Sequence, residues 1–237
     1  MQAAPITLFD FDSELETPFS PKVWAIRLLL NYKEIPHKTT YVHFPDIGTV
    51  LAAAGAPPTR QVAPLYTVPA IIDGDKAISD SRLIAGHIER TYPARPVPLQ
   101  GDAQQLAVRN VEFLFYPLIV PNTMNHLDER DAAYFIQTRR VMFRKELHEI
   151  CPPSRREEAV RAIEAGLIEL SDFVGAESHE GWVFGKDGPA YADFELLRLF
   201  LWLKIAGFPG AWDRIKELNG AKWGRLFIAA EPYINIE

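Results

Sequence analysis

Proline is distributed unevenly along this chain, and the asymmetry restricts where long helices can form. Of the 19 prolines, twelve precede residue 99 and seven follow it. A proline inside a helix removes a backbone hydrogen bond and clashes with the preceding turn. At 237 residues, the chain has room for one large domain or two modest ones. The sequence therefore predicts a loop-rich first part and a helical second part.

Charge and apolar content narrow the class of protein. Apolar residues make up 48% and charged residues 24%, as in an average globular protein. The net charge of -6 argues against a nucleic-acid partner, since nucleic acids are bound by basic faces. The longest apolar stretches are shorter than the ~20 residues that span a bilayer. With one cysteine and no apolar leader, we expect a cytoplasmic protein that binds neither nucleic acid nor membrane.

The first part of the chain predicts short strands and helices in the order β-α-β-x-β-β-α. Strands are indicated by apolar alternation and β-branched residues, and a hairpin by the turn signal around Gly74. The predicted elements are a strand at 6–11, a helix from Pro21, a strand at 39–44, an irregular connection over 45–67, strands at 68–72 and 76–79, and a helix from Ser81 that ends before Pro93.

Helical spacing of apolar residues dominates the second part. The predicted helices cover 102–127, 129–150, 154–174, 191–206 and 210–219. The fold class is therefore α/β plus all-α, with an α/β domain at 1–93, a linker at 94–101 and an all-helical domain at 102–237.

Four pieces of the first domain, in this order, together resemble a glutathione transferase. They are TPFSPKVW at 17–24, YTVPAI at 66–71, IIDGDKAIS at 71–79 and SDSRLIAGHIERTYP at 79–93. GPAYADFELLRLF at 188–200 is similar to the start of the central helix in the family's second domain. The resemblance implies a thioredoxin-like, glutathione-binding domain followed by a helical bundle that forms a hydrophobic acceptor site.

Within the family, two adjoining segments most resemble the fungal etherase-related (FuA-like) transferases, relatives of bacterial lignin β-etherases. The segments are SPKVW at 20–24 and RLLLNYKEIPHKTTYVHFPDI at 27–47. The resemblance implies a serine-type enzyme with glutathione as co-substrate and no metal. It also implies a homodimer.

Ser20 is the catalytic residue that this resemblance implies. The thiol of glutathione has a reference pKa of ~8.5, so a hydroxyl donor at a helix start can favour the thiolate. Ser20 stands at such a start, before Pro21. Thr17 is a rival, because cysteine-type relatives carry their cysteine at that position. An ordinary N-cap is the alternative interpretation of Ser20.

Glutathione-binding residues follow from the same resemblance. Val68-Pro69 is similar to the family's cis-proline turn, whose backbone pairs with the cysteinyl part of glutathione. Asp80-Ser81 stands where the family commonly has Glu or Gln followed by Ser, and would hold the γ-glutamyl group at a helix start. An ordinary Asp-Ser helix cap is the alternative interpretation. Lys38 and Arg60 are both candidates for the glycyl carboxylate.

Several other residues receive structural or open interpretations. Ala190 replaces the usual capping Ser or Thr, so we interpret Asp193 as structural. Cys151 lies far in sequence from the glutathione motifs. The six histidines, at 37, 43, 87, 126, 148 and 179, lack metal-binding spacing. Eight aromatic residues of the helical part could line a pocket or fill the core: Phe113, Phe115, Tyr116, Tyr134, Phe135, Phe143, Trp202 and Trp212.

The preferred function is a glutathione transferase whose thiolate attacks electrophilic, hydrophobic aromatic compounds. The second hypothesis is a ligandin-type carrier that binds such compounds without catalysis. The third is a structural or regulatory transferase-like module, which the retention of Val68-Pro69 and Asp80-Ser81 disfavours.

Overall fold

A computed structural model describes residues 4–99, 101–175 and 181–236. Over the described part of the first domain there are four strands and three α-helices. One helix lies within 45–67, where the sequence predicted an irregular connection, and the strand predicted at 39–44 lies at 37–42. In chain order they are β1 (Ile6–Phe11), α1 (Pro21–Tyr32), β2 (His37–Val42), α2 (Ile47–Ala53), β3 (Ala70–Asp73), β4 (Lys76–Ser79) and α3 (Ser81–Thr91).

The four strands form one sheet in the order β2-β1-β3-β4. β1 is parallel to β2 and antiparallel to β3, and the β3–β4 hairpin turns at Gly74, whose φ of +62° suits glycine. In this register Ala70 lies opposite both Phe9 and Ser79. The end of β1, the start of β3 and the end of β4 therefore meet at one edge of the sheet. The arrangement confirms the predicted thioredoxin-like domain.

Helices make up the second domain. They are α4 (Asp102–Thr123), α5 (Glu129–Phe143), α6 (Leu147–Ile150), α7 (Arg156–Val174), α8 (Tyr191–Ala206), α9 (Ala211–Ile215) and α10 (Leu218–Ala230). The expected helix at 129–150 is divided, because Arg144 adopts a left-handed conformation. The predicted extent of the helix at 210–219 was also wrong. It ends at Ile215, and positive φ angles at 219–221 precede a further helical run to Ala230.

The two domains share one apolar core. Eight consecutive residues of α1, 23–30, are buried, as expected for a helix covered on all sides. α1 packs against α3 in its own domain and against α8 in the other. At the C-terminal end of α1, the Asn31 side chain donates to the carbonyls of Tyr233 (2.8 Å) and Asn235 (2.9 Å). The C-terminal residues therefore join the domains at the end of α1 opposite to Ser20.

Asp193 has the structural role that the sequence predicted. It is fully buried at the start of α8, and its carboxylate accepts hydrogen bonds from the backbone N–H groups of Ala190, Val183 and Phe184 at 2.8, 2.8 and 3.1 Å. Burial raises the pKa of Asp193 to about 6. The aspartate thus holds the preceding loop against α8 without help from a side chain at Ala190. Across the described ranges, no helix is long and apolar enough to cross a membrane.

Candidate functional site

A cavity of about 710 Å³ lies between the two domains. The first domain contributes Ser20, which precedes α1, and the connection at 60–68, which leads to β3. The second domain contributes α4 and α5, together with Trp202 of α8. The site is therefore an apolar cleft with polar groups of the first domain at one side, an arrangement common for small-molecule sites.

Ser20 and Thr17 occupy different environments. Ser20 is 3% exposed and lines the cavity, whereas Thr17 is exposed and is not part of the lining. The Ser20 carbonyl accepts the Trp24 N–H at 3.0 Å, so Ser20 is the residue that precedes α1. Within the described structure, its hydroxyl makes no capping bond to α1. The ordinary N-cap interpretation therefore does not account for this hydroxyl.

Val68-Pro69 and Asp80-Ser81 lie beside each other at the edge of the sheet. They flank the Ala70 and Ser79 positions that pair across the hairpin. The Val68–Pro69 peptide is cis, and Val68 lines the cavity. Asp80 is exposed, and its Oδ1 accepts from the N–H groups of Arg82 (2.9 Å) and Leu83 (3.1 Å).

The backbone of Asp80 is unusual. Its φ of +76° with ψ of 123° is a backbone conformation that residues other than glycine rarely adopt. Such strain costs ~1–3 kcal/mol and concentrates at ligand sites. Asp80 and Ser81 lie outside the cavity lining itself, on the same edge of the sheet. This edge is therefore a candidate extension of the site.

A charged network anchors the first turn of α1 to the second domain. Lys22 of α1 lies 3.2 Å from Glu112 of α4 and 3.5 Å from Glu195 of α8. Glu112 also accepts from Arg198 at 2.6 Å and from the Tyr116 hydroxyl at 2.7 Å. Burial raises the pKa of Glu112, but the charges of Arg198 and Lys22 outweigh it and lower the pKa to about 2. The network therefore fixes the turn that carries the candidate serine.

Three cationic side chains line the cavity: Lys22, Arg60 and Arg139. Lys22 is paired with the carboxylates of the charged network. Arg60 is exposed and Arg139 is half-buried, and neither forms a salt bridge with any carboxylate of the described residues. Lys38, the other candidate for the glycyl carboxylate, is exposed on β2 and is not part of the lining.

The aromatic candidates separate into cavity wall and core. Those that line the cavity are Phe113, Tyr116, Tyr134, Phe135, Phe143 and Trp202. Phe115 is fully buried against Phe200, and Trp212 packs on Phe200 and Phe227, so both belong to the core. Sequence reasoning missed the aromatic wall from the first domain, which consists of Phe11, Phe19, Phe44 and Tyr66. The structure thus gives the cavity an aromatic wall on both sides.

Two features lie outside the cavity lining. Cys151 is 7% exposed and burial raises its pKa, so it is a poor nucleophile.

His43 lies 2.9 Å from Asp131 and 3.4 Å from Asp128, and ligand atoms of the three lie within 4.8 Å of one another. Asp131 also accepts the Phe44 N–H at 2.9 Å, so this cluster connects the first domain to α5.

The histidines do not change the metal prediction. His43 is the histidine in the cluster just described, and its nearest partner is a carboxylate that already holds a backbone N–H group. His179 lies outside the described residues. The absence of a metal cofactor stays a prediction from the sequence.

Family models match most of the chain. Residues 15–96 match the model described as the glutathione S-transferase N-terminal domain, and residues 99–233 match the C-terminal domain. The chain is 32% identical to the glutathione S-transferase-like protein ustS of Aspergillus flavus, over 98% of this chain and 92% of that protein.

Solved structures agree with this match. Glutathione transferase GSTFuA2 of Phanerochaete chrysosporium is 30% identical with a TM-score of 0.87, over 99% of this chain and 100% of that one. The glutathione S-transferase CsGST63524 of Ceriporiopsis subvermispora, solved in complex with glutathione, is 28% identical with a TM-score of 0.88, over 99% of each chain.

Fold and site define a two-domain protein with a thioredoxin-like domain and a helical domain around an aromatic cleft. The similarity to these transferases carries the assignment further. The chain belongs to the glutathione S-transferase family. The resemblance to fungal FuA-type transferases is confirmed as well.

Proposed function

We propose that this protein is a glutathione transferase in which the Ser20 hydroxyl stabilises the glutathione thiolate. The main support is that Ser20 is nearly buried and lines the cavity, while its hydroxyl makes no capping bond to α1. A hydrogen bond from this hydroxyl to sulfur would favour the thiolate over the thiol. The positive end of α1 would add to the effect. The thiolate would then attack an electrophilic carbon of an acceptor in the cavity. The new C–S bond would form as a leaving group departs with its bonding electron pair, or as a conjugated double bond takes up the pair and is protonated by water.

Glutathione would lie along the sheet edge. Its cysteinyl part would pair with the Val68 backbone like an added strand, with Pro69 fixing the turn. The γ-glutamyl carboxylate would accept from Ser81 at the start of α3, and the ammonium group would pair with the exposed carboxylate of Asp80. Arg60 is our candidate for the glycyl carboxylate, because it lines the cavity and forms no salt bridge with a carboxylate of the described residues. The relative CsGST63524, crystallised with glutathione, supports this ligand.

Acceptors would be flat and hydrophobic, to match the aromatic wall. The alternative is a ligandin-type carrier that binds aromatic compounds in the same cavity but does not stabilise the thiolate. We further propose a cytoplasmic homodimer, a domain boundary within 94–101 and Ser20 rather than Thr17 as the catalytic residue. An etherase-related reaction is compatible with the thiolate attack but is not required by it.

The test is a pH titration of bound glutathione, followed by thiolate absorbance. The wild-type protein should lower the thiol pKa below the free value of ~8.5. Ser20→Ala should raise it again by about 1 to 2, since a hydrogen bond to a charged group contributes ~1.5–3 kcal/mol. Thr17→Ala is the matched control and should leave the pKa unchanged.

Each other outcome has a defined meaning. If only Thr17→Ala restores the free value, the catalytic hydroxyl is Thr17. Binding of glutathione without any lowered pKa would favour the carrier. Because the Ser20 hydroxyl makes no capping bond, Ser20→Ala should keep the wild-type unfolding midpoint, which separates chemistry from folding.

A further inference from the structure

Arg139 stands on the face of α5 that forms the cavity wall. The α5 residues that line the cavity are Tyr134, Phe135, Thr138, Arg139, Met142 and Phe143. Their spacing of one, three and four residues marks a single helical face. The neighbouring Arg140 is exposed and pairs with Glu146 at 2.8 Å. Of these two consecutive arginines, only Arg139 lies within the aromatic wall.

The guanidinium of Arg139 has few protein partners. It donates to the Thr138 hydroxyl at 2.9 Å and lies 4.3 Å from the centre of the Phe135 ring. An arginine has five N–H donors, and among the described residues the other donors of Arg139 have no hydrogen-bond partner. Among the described residues, no carboxylate forms a salt bridge with it, although acidic residues outnumber basic ones in the chain.

Charge in this part of the cavity is therefore positive and uncompensated. Burial and the nearby charge of Arg60 lower the pKa of Arg139 to about 10. At neutral pH the side chain is still charged, and partial burial without a counterion is unfavourable. A bound anion would relieve both the desolvation and the repulsion between the two arginines. Two oxygens of a carboxylate or a sulfonate would also match the paired N–H donors of the guanidinium fork.

We propose that the cavity takes aromatic compounds that carry an anionic group, a carboxylate or a sulfonate, and that Arg139 binds this group. The inference deepens the proposed function, on which it rests for the identification of the cavity as the acceptor site. The aromatic wall would hold the ring system, while Arg139 would select for the charge. Arg139 is then a specificity-determining residue for the acceptor and takes no part in glutathione binding.

The test compares two fluorescent probes that differ by one sulfonate. 8-Anilinonaphthalene-1-sulfonate carries the anion, and N-phenyl-1-naphthylamine lacks it. Arg139→Met should weaken binding of the sulfonate probe by ~10-fold or more and binding of the neutral probe by less than ~2-fold. Arg140→Met is the matched control and should change neither. Arg139→Lys keeps the charge but not the fork, and should give an intermediate loss for the sulfonate probe.

Glutathione binding to each variant, measured by calorimetry, separates this inference from the proposed function. Equal losses for both probes, no loss for either, or no binding of the sulfonate probe by the wild-type protein would overturn the inference. Loss of glutathione binding in Arg139→Met with unchanged probe binding would assign the arginine to glutathione and also overturn it. If the wild-type protein binds no glutathione but discriminates between the probes through Arg139, the proposed transferase function fails and the anion preference stands.

Discussion

Replacing Glu112 by Gln should destabilise the protein by about 3 kcal/mol at pH 7. Glu112 accepts from Arg198, Lys22 and Tyr116, and its side chain is 6% exposed while that of Arg198 is 0% exposed. Glutamine keeps the size of the side chain but removes the charge. One of the two carboxylate oxygens would also become an NH2 group, which is a donor and cannot accept from Arg198 or Lys22. The change therefore breaks a buried ion pair and leaves Arg198 with Glu195, at 3.4 Å, as its remaining carboxylate.

The magnitude follows from the pKa of Glu112, which falls from an ordinary 4.5 to about 2. A change of one in pKa corresponds to 1.36 kcal/mol, so the folded state gains ~3 kcal/mol from ionising this group. Breaking a buried pair typically costs ~3–5 kcal/mol, which agrees. A lowered carboxylate pKa stabilises the folded state above the unfolded value and loses that effect as pH falls. The difference between wild type and variant should therefore be complete at pH 7 and fall below about half by pH 3.

Urea unfolding at several pH values measures this difference. Tryptophan fluorescence and far-UV circular dichroism should give coincident transitions, which justifies a two-state treatment. Glu157→Gln is the control, because Glu157 forms an exposed pair with Arg214 at 2.8 Å and should lose much less. A loss below ~1 kcal/mol at pH 7, or one that is constant with pH, would refute the argument that buried charge pairing anchors α1.

Two further substitutions test other contacts. The hydrogen bond to Asp131 raises the pKa of His43, so the link between the domains should stabilise the protein below pH ~6.5 and weaken as pH rises through the raised value. In His43→Gln the free energy of unfolding should vary less between pH 6 and 8 than in the wild-type protein. The difference should be below ~1 kcal/mol, because solvent screens this pair. An equal pH dependence in both proteins would contradict this. In Gly185→Ala the new methyl would overlap the Gly188 carbonyl, so the unfolding midpoint should fall by ~4 °C or more. Gly48→Ala, whose methyl meets only Tyr66 at 3.8 Å, is the control, and equal midpoints for the two variants would exclude the clash.

The sheet of the first domain was predictable because its signals are local. Alternation predicts both ends of β1, and the turn at Gly74 sets the hairpin without reference to distant parts of the chain. Helix ends in the second domain were less predictable. The break at Arg144 requires a left-handed residue that carries no glycine signal, and the break at 219–221 includes only one glycine. Tertiary packing fixes these ends.

The wall of the cavity was only partly predictable. Phe113 and Tyr116 lie three residues apart on α4 and face the cavity, whereas Phe115 turns into the core. The sequence shows that these residues lie on different faces of α4, but not which face packs against other helices and which faces the cavity. Sequence analysis did not single out Arg139, which interrupts the apolar pattern of α5. Its position on the same helical face as Phe135 was the available signal.

The choice between Ser20 and Thr17 shows why a site needs more than its motif. Both hydroxyls flank Pro18 and Phe19, and the sequence places neither in the cavity. The indole N–H of Trp24 donates to the Pro18 carbonyl at 2.6 Å and so fixes the loop. Thr17 is left exposed and Ser20 is directed inward. Because the Ser20 hydroxyl makes no capping bond to α1 and the residue lines the cavity, we propose that a ligand is its partner.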